Sequence, residues 1–185
     1  LSQDAEAAKA AVKAEKAAAA AEKVAAKADK AFTRKEFCAN NWSHGDRVSV
    51  SDLREMTVPA AGSVNIDSGR NGGISVRGED RSDVLLKACV QAWAVTEAEA
   101  RSIAASIRIG TGGVVKAEGP AEGWSVSFEA RVPNNTHLKL NAHNGGIAIG
   151  AVEGTIEFET MNGGVSLKDV AGDVRGRTTN GGVNI

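Results

Sequence analysis

The sequence predicts a mainly β protein: a single-stranded β-solenoid, or β-helix, of about 18 residues per coil, with one short packed helix and a long N-terminal helix. The first observation behind this prediction is an 18-residue repeat of Asn-Gly-Gly triplets. The second is that short runs of alternating apolar and polar residues flank the triplets, a pattern typical of strands with one buried face. The third is an Ala- and Lys-rich N-terminal segment without Gly or Pro, which favours a helix.

The triplets share a register along the chain. Asn144, Asn162 and Asn180 each begin a triplet, 18 residues apart; an earlier triplet begins at Asn71, and a degenerate one is Thr111-Gly112-Gly113. Each solenoid coil lies on the one before it, so we expect the Asn side chains to stack as an amide ladder. We also expect Asn-Gly to supply the positive φ angles of a tight turn. The predicted turn and ladder residues are Asn71, Gly72, Gly73, Asn144, Gly145, Gly146, Asn162, Gly163, Gly164, Asn180, Gly181 and Gly182.

Composition divides the chain into a helical arm and a solenoid domain. A helix inside the domain is predicted from the capping box Thr96-Glu97-Ala98-Glu99. The last coil lacks a capping element, so we expect that the native chain continues past Ile185 or that this end stacks on a partner. The predicted boundaries are 1–36 for the Ala/Lys/Glu-rich arm, 37–185 for the β-solenoid domain, 37–110 for its N-terminal cap, 96–107 for the helix within the cap and 111–185 for the regular Asn-Gly-Gly coils.

The arm carries a seam of small residues at alternating steps of four and three, as in a heptad repeat. Such a seam allows two helices to approach closely, although each Ala buries little area. Two interpretations stay open: a self-associating helix, and a solitary spacer helix that frays. The seam consists of Ala7, Ala11, Ala14, Ala18, Ala21, Ala25, Ala28 and Phe32.

The two cysteines, Cys38 and Cys89, are too far apart for a C-x-x-C redox or metal motif. In an exported protein they form a disulfide; the alternative is two buried free thiols. The sequence begins at Leu1 without Met, as after removal of a secretory signal or at an arbitrary boundary. We expect an exported protein in the periplasm, outer envelope or extracellular space. The sequence has no apolar run of 18 residues, so it predicts no transmembrane segment.

Charge and motif content indicate no catalytic chemistry. The net charge of −1 gives no reason to expect nucleic acid as a partner. The imidazoles of His44, His137 and His143 lack metal-ligand spacing, and nucleophile-elbow, phosphate-loop and dinucleotide motifs are missing. We therefore predict no catalytic, cofactor-binding or metal residues and no cofactor, and we expect that the protein is not an enzyme.

Acidic residues in the coils are candidates for a glycosidase or lyase pair, because solenoids do host polysaccharide chemistry. A catalytic pair must face across a cleft, whereas Glu153, Glu157, Glu159, Asp169 and Asp173 scatter between the predicted faces. A pair of this kind is therefore disfavoured.

The three tryptophans, Trp42, Trp93 and Trp124, lie outside the regular coils. Packing under the N-terminal cap is the favoured interpretation, and a sugar-stacking platform is the alternative.

Several of these features occur together in one known family. The chain from Phe37 to Ile185 resembles the bacterial "putative adhesin" family of β-strand-repeat domains, through Cys38-x-Asn40, the Asn71 triplet, the strand at 90–94, the helix at 96–107 and the 18-residue register. The resemblance implies an exported envelope protein with a β-helical fold and no established catalytic residues. The N-terminal arm is not part of the family pattern.

Taken together, the sequence predicts a non-enzymatic cell-envelope module with an adhesive or structural role. Its expected partners are a second copy of itself, through the coil end or the Ala seam, or an envelope polysaccharide or protein. One alternative is a polysaccharide-binding or polysaccharide-cleaving solenoid. Another is a scaffold that assembles through its open end.

Overall fold

A computed structural model of the chain describes residues 37–39 and 45–185. The chain divides into two compact units, Leu1–Ala39 and Asn40–Ile185. The predicted helical arm at 1–36 lies outside the described residues, as do Trp42 and His44. The fold below is that of the second unit.

The described part of this unit consists of thirteen strands and one helix. In chain order, these elements are β1 (Val48–Pro59), β2 (Ser63–Asp67), β3 (Ile74–Glu79), β4 (Asp83–Ala94), α1 (Glu97–Ser106), β5 (Arg108–Gly110), β6 (Val114–Glu118), β7 (Trp124–Pro133), β8 (His137–Asn144), β9 (Ile147–Gly150), β10 (Ile156–Asn162), β11 (Val165–Lys168), β12 (Val174–Asn180) and β13 (Val183–Asn184).

The strands form two mixed sheets in a sandwich-like arrangement. The first sheet has seven strands in the order β1-β4-β7-β3-β9-β11-β13, and the second has six in the order β12-β10-β8-β2-β6-β5. Antiparallel pairing joins β1 to β4, β4 to β7 and β5 to β6. The other neighbours pair in parallel. The core lies between the two sheets.

The predicted single-stranded β-solenoid is wrong. In a solenoid each coil is added to the one before it. Here β2 and β3 lie between the pair β6 and β7 and the pair β8 and β9, although β6 and β7 come later than β2 and β3 in the chain. The 12-residue strands β1 and β4 also extend the first sheet by antiparallel pairing. Part of the N-terminal half of this unit is thus inserted between strands of its C-terminal half.

The 18-residue register reflects parallel pairing between consecutive repeats. Leu138 of β8 is the partner of Ile156 in β10, which in turn pairs with Val174 of β12. In the first sheet, Ile147 pairs with Val165, and Val165 with Val183. Each repeat therefore contributes one strand to each sheet.

Alternating side chains of these strands fill the core, as the two-residue period predicts. Ile147, Ile156 and Phe158 are buried. The same alternation predicts that Val174 and Val183 point inward, but both are exposed because β12 and β13 are the outermost strands of their sheets. The buried apolar residues from β9 to β11 are Ile147, Ile149, Val152, Ile156, Phe158, Val165 and Leu167.

Helix α1 begins at the capping box that the sequence predicts. Thr96 Oγ1 accepts a hydrogen bond from the backbone N–H of Glu99 at 3.3 Å, and the Glu99 carboxylate accepts one from the backbone N–H of Thr96 at 3.2 Å. At the other end, the Arg54 guanidinium of β1 donates to the carbonyls of Ala104 at 2.7 Å and Ile107 at 2.5 Å. The Ala104 carbonyl also accepts from the backbone N–H of Ile107 at 3.3 Å. Carbonyls at a helix end need donors from outside the helix, so Arg54 ties the end of α1 to the first sheet.

A buried ion pair lies in the first sheet between β4 and β7. Lys87 and Glu129 are cross-strand partners, and Lys87 Nζ lies 3.5 Å from Glu129 Oε1. Both residues are buried. Burial raises the pKa of the Glu129 carboxyl, while the charges of Lys87 and Arg131 act in the opposite direction. Desolvation is the larger effect, so the ionised carboxylate costs free energy in the folded state.

The substitution Glu129→Gln tests this balance through pH. Because the folded pKa is raised, the native state binds the proton more tightly than the unfolded chain. The contribution of Glu129 to the free energy of unfolding therefore falls as pH rises from the ordinary glutamate pKa through the raised one. The advantage of the wild type over Glu129→Gln should shrink over that range, measured by urea unfolding at a series of pH values. The exposed Glu153→Gln serves as control, and an advantage that grows with pH would contradict the assignment.

Candidate functional site

The asparagines of the triplets form one column at a corner of the second sheet. Asn144, Asn162 and Asn180 are successive parallel partners, and Asn71 forms a single parallel bridge with Asn144. Asn180 Nδ2 donates to Asn162 Oδ1 at 2.7 Å, Asn162 Nδ2 to Asn144 Oδ1 at 2.7 Å and Asn144 Nδ2 to Asn71 Oδ1 at 3.1 Å. Every amide in this Asn ladder donates in the same direction, toward Asn71.

The first glycine of each triplet is required by close approach of two backbones. A Cβ at Gly163 would lie 2.1 Å from the carbonyl oxygen of Gly145, and one at Gly181 would lie 2.2 Å from that of Gly163. Gly145 is held against the Gly72 carbonyl in the same way, at 2.0 Å. The expected reason, a positive φ angle, is wrong for these three glycines. Among the triplet glycines, a positive φ occurs at Gly72 and, in the degenerate triplet, at Gly113. Glycine at this position therefore serves stacking.

The second glycines of the triplets, Gly73, Gly146, Gly164 and Gly182, are less confined. A Cβ at Gly164 would make an ordinary contact of 3.7 Å with the carbonyl of Gly182. The degenerate triplet 111–113 lies outside the column, at the turn of the antiparallel hairpin β5–β6. The triplets thus share one column only where the strands that carry them pair in parallel.

Hydroxyl side chains beside the ladder satisfy the glycine carbonyls. Thr160 Oγ1 donates to the Gly145 carbonyl at 3.0 Å, and Thr178 Oγ1 donates to the Gly163 carbonyl at 2.8 Å. Ser68 Oγ makes the corresponding bond to the Gly72 carbonyl at 2.8 Å. Thr160 is fully buried, where an unpaired polar group would be costly. The repeat of Thr at this position was visible in the sequence, but its role required the structure.

Cys38 and Cys89 are both disulfide-bonded. They are the two cysteines of the chain, so the predicted disulfide is confirmed and the alternative of two free thiols is wrong. Cys89 is buried in β4.

Two adjoining grooves lie over the second sheet beside the Asn ladder. Their volumes are about 640 Å³ and 380 Å³, and both are lined by Asn141, Glu159 and Arg177. Arg177 forms an ion pair with Glu159 at 2.5 Å. The larger groove is also lined by Asp67, Gly69, Arg70, Ala142, His143, Met161 and Thr179, and the smaller one by Lys139, Leu140, Glu157, Phe158, Arg175 and Gly176.

Charged side chains alternate in sign across this face. Lys139, Glu157 and Arg175 are successive partners on β8, β10 and β12. Two residues further along β10 and β12, Glu159 is the partner of Arg177. Neighbouring strands are about 4.8 Å apart. Positive and negative groups therefore recur at that spacing along the grooves.

A third cavity, the tryptophan cleft, has a volume of about 230 Å³ and lies at the Asn71 end of the ladder. Trp124 Nε1 donates to the Pro120 carbonyl at 2.6 Å, and Trp124 packs against the core. Trp93 is half-buried, and its backbone N–H donates to the Gly123 carbonyl at 2.9 Å. The residues lining the cleft are Arg47, Ser68, Arg70, Asn71, Trp93, Ala121, Glu122, Gly123 and Trp124. Arg70 also lines the larger groove.

The five acidic residues that are candidates for a catalytic pair occupy different places. Glu157 and Glu159 lie on β10, Glu153 pairs with Ala171 in an isolated bridge, and Asp169 has a left-handed φ of 53° in the connection after β11. Asp173 directly precedes β12. The structure therefore does not bring these five together at one site.

Neither a cluster of potential metal ligands nor a membrane-spanning helix is found in the part of the chain that the structure describes. No group of three or more His, Cys, Asp or Glu residues there could hold a metal ion. His137 Nδ1 accepts a hydrogen bond from the Thr155 backbone at 2.9 Å, and exposed His143 lines the larger groove. The described helix is too short and too polar to cross a bilayer.

Comparison with protein-family models gave no match, and comparison with curated proteins gave none either. Distant similarity exists to solved structures. A putative cell adhesion protein from Clostridium sporogenes has a TM-score of 0.42 at 10% identity, over 72% of this chain and 99% of that protein. A putative lipid binding protein from Parabacteroides distasonis has a TM-score of 0.38 at 10% identity, over 68% and 59%. A putative adhesin from Parabacteroides merdae has a TM-score of 0.29 at 6% identity, over 73% and 96%.

Alanine substitution within one triplet tests the stacking role of the glycines. Gly163→Ala should lower the free energy of unfolding by about 1–3 kcal/mol, because its Cβ meets the Gly145 backbone. Gly164→Ala, in the same turn, is the matched control and should change it by about 0.5 kcal/mol or less. Denaturant unfolding of both variants checks this, and equal losses would contradict the assignment.

Proposed function

We propose that this protein is a non-enzymatic, exported binding module with an adhesive role in the bacterial cell envelope, and that it binds an extended envelope polysaccharide over the second sheet. The observation that carries the proposal is the pair of adjoining grooves on that sheet, lined by polar and charged side chains. The resemblance of residues 37–185 to adhesin-type repeat domains points to the same class of function.

The binding surface is rigid. Strands β2, β8 and β10 each pair with a neighbour on both sides. The Asn ladder and the threonine hydroxyls fix the corner beside the grooves. A preorganised surface loses little conformational entropy on binding, which favours affinity for a long, weakly contacted polymer.

The chemistry of the grooves fits a polar polymer. Lys139, Glu157 and Arg175 present both signs of charge, and Asn141 adds an amide that both donates and accepts hydrogen bonds. Sugar hydroxyls also donate and accept, so a polysaccharide can pair with either kind of group. The two grooves share lining residues, which suits several consecutive sugar residues.

The arrangement gives little support to catalysis. Hydrolysis of a glycosidic bond needs two carboxyl groups facing each other across the bond. In the grooves Glu159 is paired with Arg177, and Glu157 lies between Lys139 and Arg175 in the register. Glu129, the buried carboxyl with a raised pKa, belongs to the first sheet and lines neither groove.

Export is supported by the disulfide. Disulfides persist in oxidising compartments such as the periplasm and the extracellular space, and are rare in a reducing cytosol. A disulfide-bonded binding module therefore suits the cell envelope.

The double variant Glu159→Gln/Arg177→Gln tests the groove. Its net charge is unchanged, and loss of an exposed ion pair should cost about 1 kcal/mol of stability or less. We expect affinity for protein-free bacterial cell-wall polysaccharide to fall about tenfold, equivalent to about 1.4 kcal/mol, by cosedimentation.

Glu97→Gln/Arg101→Gln is the matched control, because it removes an exposed ion pair of the same type on α1. This control should bind like the wild type. Equal binding by both double variants would contradict the groove, and release of new reducing ends during incubation would contradict a non-enzymatic role.

A further inference from the structure

We infer that the tryptophan cleft is a subsite for a single carboxylated sugar residue, such as a uronic acid, with the Asn71 side-chain amide as one of its hydrogen-bond donors. This inference rests on the proposed polysaccharide-binding function and names the chemistry that the ligand must carry. The cleft was not visible in the sequence, where its residues are spread from Arg47 to Trp124.

The first argument is the direction of the Asn ladder. Asn71 Oδ1 accepts from Asn144, while Asn71 Nδ2 has no acceptor among the described residues. Asn71 is therefore the last amide of a chain in which each member donates to the next. Hydrogen bonds in such a chain polarise one another, which strengthens the terminal donor. That donor belongs to a half-buried side chain lining the cleft.

The second argument is the presence of two tryptophans. Trp124 is held by its hydrogen bond to Pro120 and by contact with Gly119, where a Cβ would lie 3.1 Å from Cε2. The Trp93 backbone N–H donates to the carbonyl of Gly123, which directly precedes Trp124 at the start of β7. Both tryptophans are among the residues that line the cleft. Aromatic rings with a polar edge offer an apolar face for the C–H side of a sugar ring.

The third argument is the charge of the cleft. Arg47 and Arg70 are exposed, and the guanidinium group of each has neither an ion-pair nor a hydrogen-bond partner in the described parts of the chain. Glu122 is the one acidic residue among those lining the cleft, so the cleft has a net positive charge. A guanidinium binds a carboxylate through two parallel hydrogen bonds, which makes a carboxylated ligand the best match.

Size and strand pairing favour one sugar residue over a peptide. The volume of about 230 Å³ is below the roughly 300–1,000 Å³ of sites that enclose a drug-sized ligand. Arg70 also lines the larger groove, so a polymer can continue from the cleft over the second sheet. Peptides often bind by adding a strand to a free sheet edge. The strands that carry the tryptophans, β4 and β7, are paired on both sides and offer no such edge.

The experiment compares carboxylated polymers with their carboxyl-reduced forms. Polygalacturonate, alginate, hyaluronan and polysialic acid, and the reduced form of each, are titrated into the full chain by calorimetry at about 0.15 M salt, where long-range charge attraction is screened. We expect at least one carboxylated polymer to bind, and its reduced form to bind at least about tenfold more weakly. The side-chain amide resonances of Asn71 should shift in the same titration.

Arg47→Gln/Arg70→Gln should abolish this preference for the carboxylate, because it removes both guanidinium groups of the cleft. Both arginines are exposed, so their loss should leave the fold unchanged. Arg77→Gln/Arg108→Gln removes the same charge from two exposed arginines outside the cleft, and should keep the preference. Loss of the preference in both double variants would mean that overall charge, and not the cleft, selects the polymer.

The remaining outcomes separate this inference from the proposed function. Equal binding of carboxylated and reduced polymers, still weakened by Glu159→Gln/Arg177→Gln, overturns the carboxylate subsite and leaves the groove in place. Poly-glutamate is titrated in the same way as an acidic peptide; if it binds and none of the polysaccharides does, the cleft is an acidic peptide site and the inference is overturned. Failure of every polymer and of cell-wall polysaccharide to bind overturns both proposals.

Discussion

The close parallel stacking of backbones at the Asn-Gly-Gly corner is the constraint on which the rest of the structure depends. Gly145, Gly163 and Gly181 each lie against the carbonyl of the first glycine in the preceding triplet, at a distance that excludes a Cβ. Once that contact is made, residues 18 apart in the chain become direct partners in both sheets. The Asn ladder, the threonine bonds and the columns of charge over the second sheet all follow from this register.

The sequence predicted the register well because periodicity reports which residues are equivalent. It also predicted the alternation of buried residues such as Ile156 and Phe158, and the capping box at Thr96, since both depend on local spacing. Periodicity says nothing about the order in which strands are laid down, however. The insertion of β2 and β3 between later strands depends on pairings more than 40 residues apart in sequence, such as Ile74 with Phe128, and no local pattern reports them.

The candidate site was predicted unevenly for the same reason. The ladder asparagines were found because they repeat, whereas Arg47, Arg70 and Trp93 come from single, non-repeated segments brought together by the fold. The glycines were found for the wrong reason. A turn that needs positive φ and a corner that needs close stacking both select Gly, and the two requirements differ only once a neighbouring backbone is in place.

The inserted position of β2 and β3 has a consequence for how the chain folds. These strands are synthesised before both of their neighbours: the layer of β6 and β7 on one side and the layer of β8 and β9 on the other. The stack therefore cannot grow from one end by adding each new segment to a finished edge. Strands β2 and β3 can complete their pairing only after β6 to β9 have been synthesised. These long-range pairings raise the contact order, which slows folding compared with a repeat array whose neighbours are consecutive.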